Sequence, residues 1–346
     1  MTDLVKAHSP ADFLAALPQL VGFDPQNSVV LVAFRDGVSC GALRVDLPSK
    51  TVAHKRLATF AIGTLSKIRA VDAVAIVICT DQNFGQKAEP PLADFAKVMM
   101  KRLEQAGFSV HSALCRAADG WSSYRWRDRP VGGYPLSEIA DSPMAAMLPP
   151  VVVVDLPPIS AAALRAVRSE FAGYLKRGAY HPEFEDVPLF VERALDWSDD
   201  EFAESAALLL YLLQGAASRD AAMLQWATNL TLGDDFWAYA HRQAGEDPEW
   251  DAFVGNLMLG KGPRPDPSRV VQAITLLRRL VAVAEPHAQP APLCMLVWLN
   301  WALGRGSAAG AHLDAVRLID PRYSMAEVLG TILGNGLLPE WAFAEI

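Results

Sequence analysis

The sequence predicts an α/β domain with a mixed sheet over residues 1–156, a linker and connecting helix over 157–188, and an all-α, tetratricopeptide-like helical domain over 189–346. Three observations predict this. Short apolar runs alternate with helix-period segments up to about Val154, which is the signature of an α/β layer structure. Beyond that point no run looks like a strand. Capping residues, prolines and glycines fall at the joints in both halves.

Taken in order, Ser9-Pro10-Ala11-Asp12 opens a helix, with a capping serine, proline at the first helical position and an acid in the first turn. Phe13, Leu14, Leu17, Leu20 and Val21 then recur at helical spacing; Pro18 should kink or shorten the helix, and Gly22 suits the left-handed position past its end. Asp24-Pro25-Gln26-Asn27 has the residues of a type I turn, making the loop a corner before the strand Val29–Phe34. Arg35-Asp36-Gly37 reads as a hairpin turn, with Cys40–Leu47 as the partner strand. A helix over about Lys50–Lys67, a strand Ala73–Cys79, a helix over about Leu92–Ala106 and strands Phe108–Cys115 and Trp121–Arg127 complete the pattern.

In the second half, Ser198-x-x-Glu201 is a capping box opening a helix through Leu213. Helices follow at Arg219–Leu230, Asp234–Gln243 and Pro267–Ala284, and Pro292 to Trp341 reads as three more joined by short turns. Leu303 to Pro321 has the look of the second half of a tetratricopeptide unit, with small residues at Ala308, Ala309 and Ala311 permitting close packing.

With 51% hydrophobic and 20% charged residues, the 346-residue chain has the composition of a globular protein. A net charge of −8 argues against general nucleic-acid binding, which needs a basic face to displace counterions. No apolar run approaches the ~20 residues of a membrane span, and the start lacks a signal-peptide pattern, so a cytoplasmic location is expected. The four cysteines are scattered, and neither a disulfide framework nor a zinc site follows from their spacing.

The block A-L-P-Q-L-V-G-F-D-P-Q-N-S-V-V-L-V-A-F, together with L-R-V-D-L-P at Leu43–Pro48, resembles the actinobacterial DUF4192 family, a domain of unknown function. Weaker pieces of the resemblance are Trp121-Ser122-Ser123-Tyr124, S-R-D-A-A-M at Ser218–Met223 and the repeat-like C-terminal segment. The resemblance implies no activity. Many members look as though they carry a C-C-P turn after the Trp-containing strand; here W-R-D-R-P-V-G-G-Y-P has no cysteine, so a metal or redox role resting on those thiols is not implied for this chain.

Acids close three of the strands: Asp46, Asp81, and Asp155 after Val151–Val154. If these strands run parallel, the carboxylates gather at the carboxyl edge of the sheet, where open α/β sheets bind ligands. Within ~5–6 Å of one another they could hold Mg²⁺. Aspartate is also a common strand terminator and cap, and Arg44 shares a strand face with Asp46 and could absorb it in an ion pair. A second candidate is Trp121, Arg125, Trp126 and Arg127, where aromatics beside arginines suit an anion or a base; equally, the aromatics could face the core and the arginines water. A third is an aromatic partner surface at Trp298, Trp301 and Tyr323, set against the reading that the helical tryptophans are core.

Other motifs fail. Gly260-Lys261-Gly262 lacks P-loop spacing, the seven histidines form no i, i+4 pair, and no G-x-S-x-G elbow occurs. The leading expectation is a non-enzymatic interaction or adaptor protein with an unidentified protein partner and no cofactor. The alternative is nucleotide- or divalent-metal-dependent ligand binding or hydrolysis at the carboxyl edge, with Mg²⁺ as the only cofactor considered.

Overall fold

The structure is a computed structural model describing residues 7–47, 54–68, 70–148, 156–178, 182–240 and 246–343. The chain divides into two compact units between residues 153 and 154.

The first unit begins with α1 (Pro10–Val21), capped as its sequence requires: Ser9 Oγ accepts from the Asp12 N–H, and the Asp12 carboxylate accepts from the Ser9 N–H. Pro18 does not end the helix. Proline removes one donor, the helix runs on to Val21, and Gly22 (φ 80°) closes it with its N–H on the Pro18 carbonyl at 2.7 Å.

Strands β1 (Ser28–Arg35) and β2 (Val38–Asp46) form the hairpin, joined by Asp36 (φ 51°) and Gly37 (φ 79°), the two left-handed residues that a two-residue turn matching the strand twist demands. A bulge at Cys40 lets Phe34 pair with Ser39 and Ala33 with Gly41. After α2 (His54–Leu65) come β3 (Ala73–Cys79), α3 (Ala93–Gln105), β4 (Ser109–Arg116) and a short β5 (Trp121–Ser123). The sheet order is β2-β1-β3-β4-β5. β1 is antiparallel to both its neighbours, β3 and β4 are parallel, and β5 is antiparallel to β4. Consequently β2, β3 and β4 all point the same way.

Strand alternation gives the sheet two apolar faces. Val29, Leu31, Ala33, Val74, Ile76, Ile78, Val110 and Ala113 pack on α2 and α3 through Ala58, Ala61, Leu65, Phe95, Met99 and Leu103. Val30, Val32, Ala75, Val77, Cys79 and Leu114 pack on α1 and on the segment carrying Leu136 and Ile139, which runs into α4 (Ser137–Ala140) and is followed by α5 (Pro143–Met147). Two-sided burial is why β1 and β3 read as continuous apolar runs.

β5 is shorter than the expected strand Trp121–Arg127. The chain turns at Tyr124 and Arg125, and the Arg125 N–H is held by Ser123 Oγ at 3.2 Å. A second departure lies at Asp24–Asn27, which forms no turn. The segment has no regular structure up to Asn27, a bend whose φ of 40° leads the chain into β1. The strand expected at 151–154 lies outside the described residues.

The second unit is helical: α6 (Ala161–Arg177), α7 (Val187–Arg193), α8 (Asp199–Leu212), α9 (Ala216–Ala227), α10 (Leu230–Ala240), α11 (Pro248–Met258), α12 (Pro267–Val283), α13 (Pro290–Ala302), α14 (Gly306–Ile319) and α15 (Ser324–Gly334). The Ser198–Glu201 box caps α8 as its residues predict. All thirteen residues of α13 are buried, so this helix is the centre about which the others pack. No described helix is long and apolar enough to cross a membrane.

Candidate functional site

Because β2, β3 and β4 run the same way, their carboxyl ends share one edge of the sheet. The register then places one row of residues across it: Asp46 faces Ser28, Ser28 faces Cys79, Cys79 faces Arg116, and Arg116 faces Trp121. Directly paired residues project from the same side of a sheet, so all five share the α1 face. Beyond β3 the chain leaves for α3 on the opposite face, while beyond β5 it continues to α4 on the α1 face. A crevice opens at this carboxyl edge, the place where α/β sheets take ligands.

The crevice is a cleft of about 420 Å³ lined by Asp24, Gln26, Cys79, Thr80, Asp81, Arg116, Leu136, Ile139 and the alanines at 117, 118 and 140. The α1–β1 loop forms one wall and is tied down by charge. Arg116 donates to Asp24 Oδ1 at 2.6 Å and to the Pro25 carbonyl at 2.5 Å, and Arg44 reaches the Gln26 carbonyl at 3.4 Å. Asn27 and Asp81 bond reciprocally: Asn27 Nδ2 donates to Asp81 Oδ2, and the Asp81 N–H donates to Asn27 Oδ1, both at 3.1 Å. The loop is therefore a strap tied to the sheet edge, with no type I turn in it.

The opposite wall is apolar and depends on a close backbone approach. Trp121 and Tyr134 exchange hydrogen bonds of 2.9 and 2.7 Å, which brings the following Leu136 and Ile139 beside the sheet. A Cβ at Gly120 would fall 2.5 Å from the Gly132 carbonyl oxygen, so only glycine permits this pairing. Asp119, one residue earlier, holds the loop after β3: it accepts from the Phe84 N–H at 2.8 Å and the Gly85 N–H at 3.1 Å. Burial opposes its charge, but these backbone donors outweigh it and keep its carboxyl below the usual range.

At the floor, burial pushes the Cys79 thiol up to about 11 and leaves it protonated at neutral pH. Two buried polar atoms of the row, Ser28 Oγ and Trp121 Nε1, have no hydrogen-bond partner among the described residues.

The strap yields a direct expectation. Asn27→Ala removes both bonds to Asp81 and puts a Cβ-bearing residue without a stabilising amide at φ 40°; the cost is about 1–3 kcal/mol in denaturant unfolding. Asn27→Gly retains the backbone freedom, so it should cost less than alanine. Equal losses for the two variants would mean that the left-handed conformation carries none of the effect.

Of the residues singled out by sequence, Asp46 and Asp81 stand at the same edge with β1 between them. That is two inter-strand steps, about 10 Å of backbone separation. Asp46 pairs with Arg44 at 2.5 Å and Asp81 with Asn27. Asp155 lies outside the described residues. Among the described residues, no three His, Cys, Asp or Glu side chains form a set that could hold a metal ion.

Arg125 and Arg127 do not form an alternating face with Tyr124 and Trp126, because the strand has already ended. Arg125 donates to the Val110 carbonyl, and Trp126 packs edge-on against Trp121 and Tyr134 at 5.8 and 5.6 Å. In the helical unit Trp298 and Trp301 are core residues, 0% and 2% exposed, with indole N–H groups on the Met258 and Leu337 carbonyls. A partner surface cannot use them in this fold. Tyr323 is half-buried, and its hydroxyl accepts from Arg219 at 2.9 Å.

The cleft residues that sequence reasoning did not assign are Asp24, Asn27, Thr80, Arg116, Leu136 and Ile139. A signal existed for Arg116, a lone charge closing the apolar run V-H-S-A-L-C-R, and for Asp24, an acid beside a strand entry. Neither signal says that the two meet.

The family model described as "Domain of unknown function (DUF4192)" matches residues 10–252 and 266–340. The chain belongs to this family. The match begins at the first residue of α1, spans both units and includes every cleft residue, so the site lies wholly within the DUF4192 domain. No curated protein and no solved structure matches the chain.

Proposed function

We propose that this DUF4192 protein acts by binding, and that its N-terminal unit takes a small organic molecule in the cleft at the carboxyl edge of the sheet. The observation that carries the reading is the cleft's composition: a charged wall of Asp24, Asp81 and Arg116 faces an apolar wall of Leu136 and Ile139. Ligand sites combine apolar area with a few placed polar groups in this way. At about 420 Å³ the cleft has the size of such a site.

This reading keeps the non-enzymatic expectation and moves the recognition from the helices to the sheet. The adaptor reading rests on a repeat-like helical surface, as Leu303 to Pro321 suggests, and a groove of three aromatic anchors would support it. Two of the three, Trp298 and Trp301, are inside the core.

A thermal-shift screen of a fragment library against the full chain tests the reading. A fragment at ~100 times its dissociation constant adds about 2.7 kcal/mol and raises the melting point by several degrees. Leu136→Arg, which sets a cation against the apolar wall, should abolish the shifts. Shifts that persist unchanged in Leu136→Arg, or a library without a single hit, would sink the cleft as the binding site.

A further inference from the structure

Building on the cleft reading, we infer that the ligand is an organic cation: an ammonium or guanidinium head carried on a short apolar body. The first support is the balance of charge. Two carboxylates, Asp24 and Asp81, line the cleft against one guanidinium, Arg116. That guanidinium is committed, with Asp24 Oδ1 and the Pro25 carbonyl both accepting from it. An incoming phosphate or carboxylate would have to displace Asp24 and then sit beside Asp81. A cation meets no such competition.

The second support is an acceptor. Asp81 Oδ2 accepts from Asn27, which leaves Oδ1 of this exposed carboxylate for a donor from the ligand. An ammonium, with three donors and no acceptor, complements this oxygen, whereas a carboxylate or phosphate repeats its chemistry.

The third support is the apolar wall. Leu136 and Ile139 are half-buried and stand across from the acids, so a head on an alkyl or aryl body places each end on its matching surface. The chain's net charge of −8 favours approach of the same ligand class.

Calorimetric titration of the full chain with three matched probes, hexylammonium, hexan-1-ol and hexanoate, tests the inference. Hexylammonium is expected to bind at least tenfold more tightly than either of the others, with a preference that shrinks as salt rises. Asp81→Asn should remove that preference and leave hexanol binding in place. Asp24→Asn frees Arg116, so hexanoate should gain affinity and hexylammonium lose it.

Hexanoate or hexanol binding as tightly as the amine would overturn the cation assignment while leaving the cleft reading intact. Binding by none of the three probes would overturn both. An amine preference that survives Asp81→Asn and Asp24→Asn alike would place the cation elsewhere and overturn the assignment of this site.

Discussion

Trp301→Ala is expected to cost about 3–5 kcal/mol, the range for deleting a large aromatic from a well-packed core. Trp301 is 2% exposed on α13, packs against Trp298 and Trp341 with ring centroids 6.4 Å away in each case, and donates its indole N–H to the Leu337 carbonyl at 2.7 Å. Its ring also fixes the neighbouring loop: a Cβ at Gly260 (φ 79°) would lie 2.6 Å from it. Truncation thus leaves a cavity, an unpaired carbonyl and an unsupported loop. Urea unfolding followed by far-UV circular dichroism reads the loss as a shift in midpoint at constant slope. Trp301→Phe, which keeps most of the ring and loses the hydrogen bond, should fall well short of the alanine cost. A surface anchor would show less than about 0.5 kcal/mol. A value that small would contradict the packing described here.

The second large effect is a loss of stability in mild acid that traces to His312. This residue of α14 is 2% exposed, and its Nδ1 has no hydrogen-bond partner among the described residues. Burial, reinforced by the positive charge of Arg278, lowers its pKa from 6.5 to about 4. The native state therefore refuses a proton that the unfolded chain accepts. Between pH 6.5 and about 4 the unfolded state binds more protons, so stability falls as the pH falls. The contribution is absent above pH 7 and reaches about 3 kcal/mol at the acid end.

His312→Leu removes the titrating group and suits an apolar site, so it should flatten this part of the profile while costing little at pH 8. The check is the wild-type minus variant difference in unfolding free energy across pH 4–8, since the carboxylates common to both proteins cancel. A difference that does not change with pH would rule His312 out as the cause.

How much of this could be read from residues alone varies by element. β3 coincides with its expected span, Ala73–Cys79, because six of its seven residues are fully buried apolar side chains and no polar residue interrupts them. The hairpin turn at Asp36-Gly37 and the caps at Ser9, Gly22 and Ser198 were equally legible, since each depends on chemistry within four residues. Reasoning failed where a distant partner overrode a local preference. Asp24-Pro25-Gln26-Asn27 has turn residues, yet Arg116 holds Asp24 and Pro25, and Asp81 holds Asn27, in a strap without a turn. Arg125 alternates correctly for a strand, but by that point β5 has only β4 to pair with and the chain turns away. For the tryptophans of α13 the sequence leaves core and partner surface both open, because a single helix does not reveal how many neighbours it has; the structure places them in the core.

The chain by itself determined its elements, their order, the division into an α/β part and a helical part, and its membership of the DUF4192 family. The elements and the division rest on hydrophobic period and cap chemistry, which act over a few residues; the membership rests on the family match along the chain. Tertiary structure alone decided the cleft. Arg116 meets Asp24 across 92 residues of sequence, and Asn27 meets Asp81 across 54. Both meetings follow from the order β2-β1-β3-β4-β5, which brings two strand starts and three strand ends to a common edge. That order is set by burying both faces of the sheet at once. It is a global condition that no local run of residues encodes.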